Sequence, residues 1–124
     1  MPKPSLLIVG KYQKMLLIAL GSVPGALLRW HIDNDFIVNM LGAAILGFLL
    51  SISAKRSLNL ILGFGFCGAL TTFSSWILDA IQLIISGLIL QAFGLIIYTF
   101  GFGLLGAIFG FWLGNNIKLI GPFR

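Results

Sequence analysis

Gly65-Phe66-Cys67-Gly68-Ala69-Leu70-Thr71-Thr72-Phe73-Ser74-Ser75-Trp76 sets four hydroxyls and two glycines inside an apolar run, Leu58 to Ser86. Backbone in lipid must satisfy its polar groups internally, so such a cluster at membrane depth calls for a purpose. A straight helix over this run would measure ~43 Å, well beyond the ~30 Å of a bilayer's hydrocarbon core. A break near Thr71 to Ser75 absorbs the excess. Unwound backbone there would expose carbonyl oxygens suited to a small cation, and the half-helix that follows would present amides suited to an anion.

Three more apolar segments surround this one: roughly Tyr12 to Trp30, Phe36 to Ser53 and Leu88 to Leu113. Each meets or nearly meets the ~20 residues a spanning helix needs. The chain has 124 residues, is 59% hydrophobic and 9% charged, and contains no glutamate; its mean hydropathy is +1.08. A water-soluble domain of this size needs a far more polar surface. The expected fold is an all-α integral membrane protein, one domain of four transmembrane helices with the third broken mid-membrane. The apolar stretch after Lys14 runs into Pro24, Arg29 and Trp30 with no small-residue cleavage pattern, so it reads as a retained first helix and not a signal peptide.

The joints are short, at Trp30 to Asp35, Ala54 to Ser57 and Ser86-Gly87, and leave little room for a soluble insertion. Formal charge is +5, but the basic residues sit at helix ends and termini, as membrane topology requires, and form no patch for nucleic acid. With the N-terminus inside, Lys3, Lys11, Lys14, Lys55, Arg56, Lys118 and Arg124 fall on the cytoplasmic side and Arg29 alone on the other. That bias predicts one orientation with both termini cytoplasmic.

Single residues carry weaker signals. Gly42 and Gly47, and Gly106, Gly110 and Gly114 at four-residue spacing, form small faces for close helix approach. Asn39 is a buried amide that either faces a pore or glues two helices together. Arg29 either snorkels to the interface or makes a vestibule electropositive, and Asp79 reads as an interfacial carboxylate. Cys67 is the only cysteine, so no intrachain disulfide forms and a small buried apolar role suits it. The one histidine, His31, lies in a connection with no catalytic partner, so the chain reads as no enzyme.

Gly25-Ala26-Leu27-Leu28-Arg29-Trp30, Val38-Asn39-Met40-Leu41-Gly42 and Gly68-Ala69-Leu70-Thr71-Thr72-Phe73-Ser74-Ser75-Trp76 occur in the order and spacing of a known family. The chain resembles the Fluc (CrcB-type) fluoride channels over all four segments. The resemblance implies an antiparallel, dual-topology dimer in the bacterial inner membrane, with two fluoride pathways and a structural sodium ion held by backbone carbonyls. By motif position, Gly68 and Thr71 would supply those carbonyls. The fluoride pathway would involve Asn39, Phe73, Ser74, Trp76 and Tyr98, with Arg29 in the vestibule. Trp76 departs from the family's second phenylalanine, and Phe102 and Gly106 stand where the family often has hydroxyls. Together with the one-sided charge, this suggests a subunit fixed in one orientation that pairs with an inverted paralogue. Two other classes compete: a proton-coupled small multidrug transporter, which needs a membrane carboxylate that the first helix lacks, and a non-conducting assembly subunit.

Overall fold

The computed structural model describes the backbone of residues 4–120 and the side chains of residues 10–117. Lys3 and Arg124, and the side chain of Lys118, which entered the orientation argument, lie outside the described residues. Among the described residues the fold is entirely helical: α1 (Pro4–Ile32), α2 (Asp35–Ser51), α3 (residues 56–70), α4 (Ser74–Ile85) and α5 (Ile89–Ile120). The stretches Gly10–Ile32, Arg56–Ile85 and Ile89–Ile117 are long and apolar enough to cross a membrane, whereas Asp35–Ser51 is apolar but shorter.

The helices outrun the apolar segments, α1 starting at Pro4 and not Tyr12, and α5 reaching Ile120 and not Leu113. Helical hydrogen bonding has no reason to stop at the hydrocarbon edge, because lysine and glutamine are good helix formers and proline suits a first turn. The ends are sharply specified. Asn34 caps α2, its side chain accepting from the Ile37 N–H at 3.0 Å. At the other end of α2, Ser53 and Ala54 donate back to the Leu50 and Leu49 carbonyls with Ser53 at φ 49°. The same left-handed cap closes α4 through Gly87 at φ 79°, with Gly87 N–H on Ile84 O and Leu88 N–H on Leu83 O.

Within α3, residues Asn59–Cys67 form wide π-helical turns, a feature that hydropathy does not reveal. This segment lies against α1, and α2 lies along α5, so the molecule is two meshed helix pairs with α4 resting on α5. Glycine makes both seams possible. A Cβ at Gly21 would strike the Ile61 carbonyl and one at Gly25 the Phe66 carbonyl; across the other seam, Gly47 faces the Ala107 carbonyl and Gly110 that of Ala44. Of the expected small faces, Gly47, Gly106, Gly110 and Gly114 lie in the α2–α5 seam, Gly106 on Met40 and Gly114 on Ser51 completing the row, whereas Gly42 turns the other way onto Thr71.

Candidate functional site

Helical bonding lapses between Leu70 and Ser74. Thr71 N–H still reaches Cys67 O at 3.0 Å, but Thr71 itself is extended (φ −78°, ψ 151°), and the next helical bond is Ile77 N–H to Phe73 O at 3.2 Å. The carbonyls of Gly68 to Thr71 fall between these bonds and receive no backbone N–H among the described residues. The Thr71 hydroxyl is committed to Cys67 O at 2.9 Å, and its methyl closes on Gly42, where any side chain would collide.

Asn39 holds this segment from across the bundle. Its Nδ2 donates to Thr72 O at 2.9 Å and its Oδ1 accepts from Thr72 N–H at 2.7 Å. One carboxamide thus replaces both helical bonds that Thr72 forgoes. The sequence left Asn39 between a pore donor and a helix glue; the glue is what the geometry displays, and the second amide hydrogen is left over.

Three cavities run in sequence along α2. The first, about 260 Å³, lies near its start and is bordered by Asn34, Asp35, Asn39, Asp79, Tyr98 and Thr99 with Phe36, Trp76 and Leu95. The second, about 270 Å³, is lined by Thr71, Thr72, Phe73, Trp76, Thr99 and Phe100 against Asn39, Ala43 and Leu46. The third, about 420 Å³, reaches the far end of α2 past Gly68 and Thr71 to Asn59 and Leu50. Trp76 is 6% exposed and Phe73 64% exposed. The two rings meet edge to face at 5.0 Å, and Phe100 meets Trp76 likewise at 5.5 Å, the geometry that directs positive ring edges at a neighbour.

The structure therefore brings together Asn39, Thr71, Phe73 and Trp76 around one cavity, with Gly68 in the next and Tyr98 in the polar one. Arg29, exposed at the end of α1, and Ser74, exposed at the start of α4, border none of the three. Tyr98 stacks on Phe36 at 4.7 Å and Phe102 closes on both rings. Thr99 borders two cavities and escaped the sequence reading, because one hydroxyl between Tyr98 and Phe100 in an apolar helix carries no periodic signal.

A family model described as CrcB-like protein, Camphor Resistance (CrcB), matches residues 16–111. The chain belongs to this CrcB-like family. The resemblance drawn from its three motifs is borne out. Among relatives of this CrcB-like chain, a protein of Synechococcus sp. (strain CC9902) named fluoride-specific ion channel FluC 2 is 52% identical over 113 residues, 87% of this chain and 84% of the relative. Parasynechococcus marenigrum (strain WH8102) has two. Its fluoride-specific ion channel FluC 2 is 46% identical over 110 residues, 85% of this chain and 83% of its own. Its FluC 1 is 31% identical over 123 residues, 86% and 98%. With spanning helices and a channel family, this CrcB-like chain is a membrane protein.

Proposed function

We propose that this chain is a subunit of a passive fluoride-selective channel that lets cytoplasmic fluoride leave the cell and lowers its toxicity. The observation that carries the reading is the non-helical stretch at residues 71–73, held open by Asn39 and bordered by edge-on aromatic rings, in a chain of the family whose relatives are named fluoride channels. Fluoride is small and strongly hydrated, so a selective path must replace its water with N–H and O–H donors and positive ring edges. The free Asn39 amide hydrogen and the edges of Phe73 and Trp76 are such groups, with Tyr98 at the polar cavity. Fixed cationic charge deep in the path would hold the ion too tightly to release it, which suits Arg29 to a vestibule role.

The interruption in the third span lies mid-membrane in this reading, and its carbonyls hold a structural sodium ion. Hard oxygen donors suit an alkali cation. Gly68 and Thr71 fit the role: their carbonyls lie where helical donors fail, and nothing lies within 4 Å of the position a Gly68 side chain would take. Bound there, sodium would supply positive charge at the centre of the assembly. Two carbonyls cannot complete its shell, so a second subunit contributes the rest.

That subunit is inverted. The one-sided charge of this chain favours a single orientation, both termini cytoplasmic in the inner membrane, and P. marenigrum has both a FluC 2 and a FluC 1. A paralogue of opposite orientation is therefore the partner of choice. Fluoride efflux from liposomes holding this chain alone, read by electrode against a chloride control, tests the reading. Selective efflux establishes a self-sufficient homodimer and overturns the paralogue. Silence from folded protein, relieved by adding a FluC 1-type subunit, establishes the heteromer. A C-terminal fluorescent reporter found equally inside and outside would defeat the fixed orientation.

A further inference from the structure

We propose that Thr99 is a specificity-determining residue of the fluoride path, its hydroxyl contacting the ion where the polar mouth meets the central cavity. This deepens the channel reading and rests on it. Asn39, Trp76 and Thr99 are the three residues that border both the 260 Å³ and the 270 Å³ cavities. An ion crossing from one to the other passes between them.

The three do not offer equal chemistry. The Asn39 carboxamide has already given its oxygen and one hydrogen to Thr72. Trp76 is a donor only, buried under Phe73 and Phe100. Thr99 is half-buried and makes no side-chain hydrogen bond among the described residues. Three other hydroxyls fold back onto the preceding turn: Ser22 on Ile18 O at 2.7 Å, Thr71 on Cys67 O at 2.9 Å and Ser86 on Gln82 O at 2.8 Å. Thr99 does not, so its O–H is free to turn toward a passing anion.

The other face of α5 offers no such route. From Tyr98 the helix continues to Phe102 and Gly106, where Phe36 and Phe102 hem in the tyrosine ring and the next cavity is bordered only by apolar side chains and Gly106. A desolvated fluoride would find no donor there. Thr99 lies one residue on from Tyr98, turned to the side that Asn39 shares.

The test measures fluoride and chloride efflux for Thr99→Val, Thr99→Ser and, as a matched control far from the cavities, Ser22→Ala, in whichever assembly conducts, this chain alone or with a paralogous subunit. Valine keeps the shape and removes the donor, so fluoride efflux should fall roughly tenfold or more, as expected for losing a hydrogen bond to a charge. Serine should restore it to within about threefold, and S22A should match the parent. Unfolding temperatures in detergent confirm that T99V is folded; if it is not, Thr99→Ser against Thr99→Ala provides the same contrast. Undiminished efflux in T99V, or equal loss in T99S, overturns the role of Thr99 and leaves the channel standing. Silence of the parent in every assembly overturns the channel reading, and this inference with it.

Discussion

Replacing Asn39 by alanine isolates what its carboxamide contributes to stability. The substitution removes two hydrogen bonds of good length, 2.9 and 2.7 Å, and leaves the N–H and C=O of Thr72 half-buried without partners. Each bond nets about 0.5–1.5 kcal/mol in proteins generally. Interhelical bonds within membranes average nearer 0.6 kcal/mol with a maximum of about 1.7. The pair is then worth about 1–3 kcal/mol. Ser22→Ala provides the scale for a purely local bond, since Ser22 donates only to its own helix at Ile18 O; it should cost less than about 0.5 kcal/mol.

The measurement is reversible unfolding of each variant in mixed micelles, followed by tryptophan fluorescence. Asn39→Ala should lower the unfolding free energy by the full range given, and an ionised Asn39→Asp by at least as much, because a carboxylate accepts from Thr72 N–H but opposes Thr72 O. A loss for N39A no larger than that of S22A would refute the clamp. The amide would then serve the ion alone, and flux would fall while stability held.

Three other outcomes follow from particular contacts. Gly110→Ala should destabilise by more than about 2 kcal/mol, because its methyl would strike the Ala44 carbonyl, whereas Gly101→Ala, inside α5 with nothing within 4 Å, should stabilise the subunit by about 0.5–1 kcal/mol, alanine being the better helix former. Ser53→Gly should stabilise by about 0.5–1 kcal/mol in the same assay, since Ser53 holds φ 49° in a cap that glycine enters freely. Asp79 borders the polar cavity, and a unit charge ~8 Å from an ion in water is worth about 0.5 kcal/mol before salt screens it. Asp79→Asn should therefore raise fluoride efflux roughly twofold at low ionic strength and not at all near 0.5 M salt.

What the sequence made legible is what hydrophobicity and residue size encode. Apolar runs marked the spans, and the four-residue glycine spacing marked the α2–α5 seam because only a backbone face without side chains allows carbonyls to approach. The α1–α3 seam was harder: Gly21 and Gly25 carry the same four-residue spacing on α1, but their partner Gly65 stands where α3 is wound in π turns that shift its faces. Asn39 and Thr72 are 33 residues apart, and nothing local says that one will bond the other. Tyr98 drew attention as the polar residue of α5, yet two rings hold it and its neighbour Thr99 lies where the cavities meet. Motif resemblance nominated the candidate site; tertiary contact decides which groups in it are free to bind.

The distribution of satisfied and unsatisfied groups also bears on the proposal that a single subunit is incomplete. Asn39 closes the polar valences of Thr72 alone. The carbonyls of Gly68 to Thr71 stay open, and the surface around them is not deeply covered: Gly68 and Ser74 are exposed and Phe73 presents most of its ring. In hydrocarbon each unpaired backbone group costs several kcal/mol, so four together approach or exceed the whole stability of a small domain. Lipid cannot be what covers this face. Water in the cavities, a cation on the carbonyls or a second subunit over Phe73 would each remove the penalty, and the first alone would leave an unselective hole. In the proposed assembly the cation and the partner would solve the problem together, because each would supply what the other lacks: charge to satisfy the carbonyls, and surface to keep the site dry.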